Sequence, residues 1–179
     1  MKKNNTTIKK IIKDLFKDGY CIINNILDVK ECDLKKKISR NTNFQDEASN
    51  RGQLVIRDLP LRDPKNYLKL IDNQLIIKVL DDIFKETFIL DNCQVSKTTN
   101  IKNKFYSLAH IDSHLACKST KDTSDVVVCY CLDEFTKKNG ATKIWPKSHL
   151  SGIRIQNDKD YKKRIKSNFK YMEASRGAI

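Results

Sequence analysis

The hydrophobic periodicity of the chain changes near residue 87. Before that point, apolar residues such as Ile8, Ile12 and Leu15 recur at the three-to-four-residue spacing of an amphipathic helix. After it come short runs rich in Val, Ile, Phe and Thr, such as residues 126–132, which are typical of strands. The pattern predicts an α+β chain in which helices come first and strands second.

Helix boundaries in the first half are marked by local sequence signals. Gly19 is placed to end the first helix, since glycine tolerates the left-handed conformation that follows a helix. Asp28 and Glu31 have the spacing of a capping box and predict the start of a second helix. Two further helices are predicted over Pro64–Leu70 and Gln74–Phe84.

Short predicted strands in the second half are separated by turn residues. Asn139-Gly140 is a tight-turn pair, and it predicts a hairpin between a strand at residues 125–132 and a returning strand at residues 142–145. Further strands are predicted at residues 87–90 and 171–174.

Composition limits the class of protein. A chain of 179 residues without internal repeats predicts one domain. No apolar run approaches the roughly 20 residues of a membrane span, and no apolar signal region follows the basic first residues. Of the six cysteines, Cys129 and Cys131 point the same way on one strand, which is poor geometry for a disulfide. We therefore expect a cytoplasmic protein with reduced thiols and no membrane partner.

The net charge of +13 raises the question of a polyanionic partner. Of the 35 basic residues, 28 are Lys and 7 are Arg, and they are spread along the chain rather than clustered. Because a binder usually concentrates its charge on one face, no nucleic acid is expected. A basic protein that binds anions or nucleic acid remains the alternative, and a steep salt dependence of binding would identify it.

His110 and Asp112 carry the chemistry that is easiest to recognise. Residues two apart on a strand share a face, so the imidazole and the carboxylate are able to reach one metal ion. Together with a distant second His, such a pair is the facial triad of non-haem Fe(II) oxygenases. His114 has the same strand parity, and His149 is the remaining His of the chain. A cupin-like metal site that uses His149 as third ligand is therefore an alternative.

The segment that follows indicates a family. Residues 132–149, LDEFTKKNGATKIWPKSH, contain a Leu-Asp step, an Asn-Gly turn and a Pro-x-Ser-His end. With the His-x-Asp pair upstream, they resemble the phytanoyl-CoA dioxygenase family. The resemblance implies a single domain over residues 1–179 with a double-stranded β-helix (jelly-roll, cupin-like) core. Residues 1–86 would be mainly helical and packed outside, residues 87–179 would be mainly β, and the C-terminal strands of the core would be missing.

The same resemblance implies an Fe(II)- and 2-oxoglutarate-dependent dioxygenase that uses O2 to hydroxylate a small organic or acyl substrate. His110 and Asp112 would bind the iron, and Thr142 would donate its hydroxyl to the 2-oxoglutarate carboxylate. Halogenases of this kind replace the carboxylate, so Asp112 favours hydroxylation. The family's distal His and cosubstrate Arg have no assignable counterpart here, and Arg176 lies before the expected position. A truncated or catalytically inactive relative is therefore the second interpretation.

Three positions depart from the family pattern or have a specific role in it. Lys147 stands where the family usually has Gly, and a positive φ would strain a lysine there. Cys129 stands where many members have an aromatic residue beside the iron. His149 corresponds to a residue that orders the turn after the strand, so the resemblance implies a structural role for it.

Overall fold

The computed structural model describes residues 2–41, 53–98, 109–112, 123–151 and 166–179. Its α-helices are α1 (Lys2–Asp18), α2 (Val29–Asn41), α3 (Leu59–Arg62), α4 (Pro64–Ile71) and α5 (Gln74–Phe84). Its strands are β1 (Gln53–Arg57), β2 (Gln94–Thr98), β3 (Lys143–Ile144) and β4 (Lys170–Tyr171). Short 3-10 turns cover Lys137–Asn139 and Ser148–Ser151. Helices therefore dominate the first half, as the periodicity predicts.

The first core lies between α1 and α5. Ile8, Ile11 and Val79 are buried there, because the helical spacing of the apolar residues brings one stripe of each helix to the contact. Gly19 ends α1 in the left-handed conformation, with φ 82°, and its N–H donates to the carbonyl of Leu15 over 2.8 Å. The predicted end of this helix is confirmed.

The capping box at the start of α2 is confirmed atom by atom. The carboxylate of Asp28 accepts from the N–H of Glu31 at 2.8 Å, and the carboxylate of Glu31 accepts from the N–H of Asp28 at 3.0 Å. The helices predicted to start at Pro64 and Gln74 are also present. These starts depend on side chains within a few residues, which explains why the sequence reveals them.

The second core is built on the sheet of β1 and β2. The strands are antiparallel, with Ile56 opposite Val95. Ile56, Leu59 and Tyr67 are buried together, so the sheet packs against α3 and α4.

The last ten residues of the chain form backbone hydrogen bonds with residues between 131 and 144. β4 pairs antiparallel with β3, and Ala174 forms a bridge with Phe135. Further along, Ile179 exchanges backbone hydrogen bonds of 2.8 and 2.9 Å with Ile23. The segment therefore joins the stretch after α1 to the β-rich part of the chain.

Gly177 lies directly against the backbone of residues 26 and 27. Its carbonyl accepts from the N–H groups of Ile26 and Leu27 at 3.0 and 2.9 Å. Its φ is 80°, and a Cβ at this position would collide with the carbonyl of Leu27. Only glycine satisfies both conditions without strain.

The predicted hairpin at Asn139-Gly140 is wrong. The Asn139 side chain accepts from the N–H of Thr136 at 2.8 Å and donates to the carbonyl of Glu134, so it closes a 3-10 turn that Gly140 ends at φ 101°. β3 then pairs with β4, which lies far along the chain, and not with residues 125–132. Asn-Gly favours positive φ in several kinds of turn, and here the side-chain bonds of Asn139 select the turn.

Two predicted strands are also absent as regular strands. Residues 87–90 and 125–132 have no strand assignment, although Cys131 exchanges hydrogen bonds with the C-terminal segment. These runs are rich in residues that favour strands, but the described residues do not pair with them as regular strands. The described strands form a pair of two-stranded sheets, and the jelly roll stays a prediction. In the described ranges, no helix has the length and apolar character that crossing a bilayer requires.

Candidate metal centre

His110 and Asp112 lie side by side in the segment of residues 109–112. The Nε2 atom of His110 is 3.3 Å from the Oδ1 atom of Asp112. Both side chains are well exposed, at 68% and 64%. The predicted pair therefore converges, and both side chains are open to solvent.

The spacing of the two donors fits a shared metal ion. Nitrogen and oxygen ligands bind divalent metals at about 2.1 Å, so two neighbouring ligands at a right angle are about 3 Å apart. The observed 3.3 Å is close to that separation. Imidazole and carboxylate are also the donor types of non-haem Fe(II) sites. His110 and Asp112 thus fit two positions of such a centre.

A third donor is not brought to this pair by the described residues. Across residues 2–41, 53–98, 109–112, 123–151 and 166–179, no three His, Cys, Asp or Glu side chains are grouped to hold a metal ion. His149 is not a ligand of this pair: its Nε2 lies 3.1 Å from the carbonyl of Phe16, at the end of α1. The cupin-like alternative with His149 is therefore wrong for this conformation. His114 lies outside the described residues.

Cys129 is electrostatically coupled to the same site. Exposure alternates along residues 126–130, with Val127 and Cys129 on the exposed side. Protein atoms around the sulfur, and then the negative charge of Asp112, raise the pKa of the Cys129 thiol. The thiol is therefore near enough to sense Asp112, although Cys129 as a whole residue is exposed.

Tyr130 fixes the segment that carries Cys129. Its hydroxyl donates to the carbonyl of Leu70, at the end of α4, over 2.6 Å. Burial, with a smaller contribution from Cys93, raises the pKa of Tyr130 to about 12, so the phenol stays a donor at neutral pH. Sequence reasoning missed this anchor, because a tyrosine in an apolar run gives no local sign of a partner sixty residues away.

Cys131 is held on the other side of the same segment. Its N–H donates to the carbonyl of Ala178 at 2.9 Å, and its carbonyl accepts from the N–H of Gly177 at 2.8 Å. Burial raises the pKa of the Cys131 thiol, and Cys129 and Cys32 add to the shift. Residues 129–131 are thus fixed between α4 and the C-terminal segment.

Thr142 precedes β3 and has an exposed side chain. Its backbone carbonyl accepts from the N–H of Met172 at 2.9 Å, so it belongs to the β3–β4 pairing. Contact between its hydroxyl and a cosubstrate stays a prediction.

Arg176 has a structural role. Its Nε donates to the carbonyl of Leu132 at 3.1 Å, and its other end pairs with Asp33 of α2. A neighbouring ion pair, Lys36 with Asp133 at 2.5 Å, joins the same two parts of the chain. The guanidinium is therefore engaged within the fold, in keeping with the expectation that Arg176 is not the cosubstrate Arg.

Helices pack beside small antiparallel sheets, and the exposed His-x-Asp pair presents the donor types that non-haem Fe(II) oxygenases use. The sequence model of the phytanoyl-CoA dioxygenase (PhyH) family matches residues 15–179. The chain belongs to this family, whose members are in general Fe(II)- and 2-oxoglutarate-dependent oxygenases. No curated protein and no solved structure matches the chain.

Proposed function

We propose that the protein is an Fe(II)/2-oxoglutarate-dependent dioxygenase that hydroxylates a small organic or acyl substrate. The observation that carries the proposal is the 3.3 Å separation between His110 Nε2 and Asp112 Oδ1 in a chain of this family. A bound Fe(II) ion would supply the oxidising chemistry that couples O2 and 2-oxoglutarate to hydroxylation of a C–H bond.

In this scheme, the residues of the chain bind the metal ion and orient the cosubstrate and the substrate. The imidazole of His110 and the carboxylate of Asp112 supply two adjacent donors, and the exposure of both side chains leaves room on the open side for cosubstrate, substrate and O2. Cys129, whose thiol senses the charge of Asp112, would contact the bound substrate. Thr142 would donate its hydroxyl to a 2-oxoglutarate carboxylate oxygen. The third metal donor and the cosubstrate Arg would come from outside the described residues.

The five described cysteines are free, at positions 21, 32, 93, 129 and 131. Free thiols are the usual state in a reducing compartment, and such a compartment also preserves ferrous iron. We therefore place the reaction in the cytoplasm. The substrates in this proposal are small molecules and O2.

Metal titration of the full chain tests the proposal directly. Mn(II), used as a redox-stable substitute for Fe(II), should bind to the wild-type chain in calorimetry. Asp112→Ala and His110→Ala should weaken binding at least about tenfold, since each removes a donor and even outer-sphere changes cost that much. Asp91→Ala is the matched control, because it removes an exposed carboxylate elsewhere and should leave the affinity unchanged.

Turnover provides the second measurement. Wild-type protein with Fe(II) and O2 should convert 2-oxoglutarate to succinate, and Asp112→Ala should not. His114→Ala should be tested beside it, because His114 is the remaining His whose place is not described. Equal metal affinity of the Asp112→Ala and Asp91→Ala variants would contradict the assignment of Asp112 as a metal ligand.

A further inference from the structure

A group of lysines and aromatic rings covers one face of the β3–β4 sheet. Lys143 lies directly opposite Tyr171, so the two side chains project from the same face. Trp145 and Phe169 lie two residues away from them, just beyond the ends of β3 and β4, and the Phe169 ring contacts the rings of both Trp145 and Tyr171. Lys137 joins from the neighbouring 3-10 turn. We call these five residues the Lys–aromatic face.

The rings form a continuous ladder. The centroids of Trp145 and Phe169 are 6.2 Å apart, and those of Phe169 and Tyr171 are 5.6 Å apart in an edge-to-face arrangement. All three side chains are partly exposed. Such a ladder leaves ring surface that planar groups are able to stack upon.

The ammonium groups are held over these rings. Lys143 Nζ lies 4.6 Å from the Phe169 centroid and 5.7 Å from the Tyr171 centroid. Lys137 Nζ lies 5.4 Å from the Tyr171 centroid. Both ammonium groups therefore lie near the Tyr171 ring. Because the cation–π contacts already order the two lysine side chains, binding a ligand would cost them little further conformational entropy.

The position of Lys137 is also determined by the fold. Its backbone N–H donates to the carboxylate of Glu173 at 2.9 Å, which ties the turn to the strand that carries Tyr171. Within the described part of the chain, no carboxylate is paired with the ammonium of Lys137 or of Lys143. Both charges remain available to an anionic ligand.

We propose that the Lys–aromatic face binds single-stranded nucleic acid. A single strand presents phosphates and unstacked bases side by side, which matches ammonium groups interleaved with partly exposed rings. The spread of lysines along the sequence gives no reason to expect this partner. The face exists because β3 and β4, separated in sequence by a long segment, pair in this register.

Fluorescence anisotropy with a labelled single-stranded DNA of about 12 nucleotides tests the proposal, a length within the usual site size of such surfaces. The full wild-type chain should bind, and its affinity should fall between about 50 and 200 mM salt. The double variant Lys137→Gln/Lys143→Gln should bind about tenfold more weakly, with a log–log salt slope reduced by about 1.4 because two phosphate contacts are lost.

The matched control is Lys9→Gln/Lys13→Gln, which removes the same charge from exposed positions of α1. It should change the affinity less than about twofold, as expected for charges away from the contact surface. Phe169→Leu keeps apolar bulk but removes a stacking ring, and it should weaken single-strand binding about fivefold or more. Circular dichroism and thermal unfolding of each variant separate lost binding from lost folding.

A duplex of the same sequence is the third arm, because its bases are already stacked on one another. Weaker binding of the duplex than of the single strand supports the proposal. Equal losses in the two double variants, equal binding of duplex and single strand, or unchanged binding by folded Phe169→Leu would each overturn it.

Discussion

The imidazole of His149 lies directly against Gly19. A Cβ at position 19 would stand 2.6 Å from the Nδ1 atom of His149, so only glycine allows this approach. On its other side the ring bonds through Nε2 to the carbonyl of Phe16, 3.1 Å away. The N–H of Lys147 adds a bond of 3.0 Å to the carbonyl of Asp18. Residues 147–149 thus close over the end of α1, which agrees with a structural role for His149.

His149→Ala should destabilise the protein and leave metal binding intact. The substitution removes the hydrogen bond to Phe16 and opens a cavity over Gly19, which costs about 1–3 kcal/mol in the free energy of unfolding. Urea unfolding and Mn(II) calorimetry measure the two effects separately. His110→Ala should show the reverse result, with weakened metal binding and near-normal stability. Metal affinity lost by a folded His149→Ala variant would restore the cupin-like ligand set.

Lys147→Gly should stabilise the protein. Lys147 has a φ of 66°, the left-handed conformation that the family's usual glycine adopts without strain. Removing this strain should add about 1 kcal/mol to the free energy of unfolding, and a thermal melt measures it. Lys138→Gly, in the 3-10 turn before Gly140, is the control and should lower stability by about 0.5–1 kcal/mol through lost backbone entropy. A lower melting temperature for Lys147→Gly than for wild type would contradict the strain argument.

The features that the sequence predicts are those determined by neighbouring residues. The capping box of Asp28 and Glu31, the end of α1 at Gly19 and the His-x-Asp pair all depend on groups a few positions apart. Pairing across long separations is different, because the partner of a strand is not encoded beside it. Asn139 therefore misleads as a hairpin signal: its bonds to Thr136 and Glu134 are local but select another turn.

The same limit applies to the candidate site. The donor pair is predictable because its residues are two apart, and family resemblance identifies Cys129 as a neighbour. By contrast, the bond from Tyr130 to Leu70 fixes that neighbour and depends on packing between distant segments. Lys35 is another example, since a helical lysine among other lysines predicts a solvated face and not burial.

Lys35 is buried with only 5% of its surface exposed. Its ammonium donates to the carbonyl of Asn66 at 2.9 Å and lies 5.8 Å from the Tyr67 ring centroid. Burial disfavours the charged form and lowers the pKa of Lys35 below its ordinary 10.5, with smaller opposing contributions led by Glu31. The folded state therefore binds this proton less tightly than the unfolded chain does.

Lys35→Met should raise the free energy of unfolding at pH 7. In the wild type, the stability contributed by Lys35 increases as the pH rises from its lowered folded pKa towards 10.5, because only there does the buried amine lose its charge. The advantage of Lys35→Met should therefore shrink as the pH approaches that value. Urea unfolding across this pH range measures the difference between the two proteins.

Lys37→Met is the control for this experiment, because Lys37 is exposed on the same helix. It should change stability little at any pH, as expected for a surface substitution. If Lys35→Met unfolds more easily than wild type at pH 7, the bond to Asn66 and the contact with Tyr67 outweigh the desolvation of the ammonium.

Gly177→Ala should destabilise more than Gly140→Ala. Both glycines have positive φ, so either alanine carries a strain of about 1–2 kcal/mol. At Gly140 the new methyl meets the side-chain methyl of Thr98 at 3.1 Å, and rotation of that side chain relieves the contact. At Gly177 it meets the backbone carbonyl of Leu27, which is unable to rotate away because the adjacent N–H of Leu27 is bonded to Gly177 itself.

The consequence of Gly177→Ala should extend to the metal centre. Gly177 also donates to the carbonyl of Cys131, two residues from Cys129, so displacing residue 177 should move the segment whose Cys129 thiol senses the charge of Asp112. We expect Gly177→Ala to lower both the free energy of unfolding and the affinity for Mn(II), and Gly140→Ala to lower only the former. Urea unfolding measures the stability of the two variants, and calorimetry measures their affinity for Mn(II). Unchanged Mn(II) affinity in a folded Gly177→Ala protein would show that the donor pair is positioned independently of the C-terminal segment.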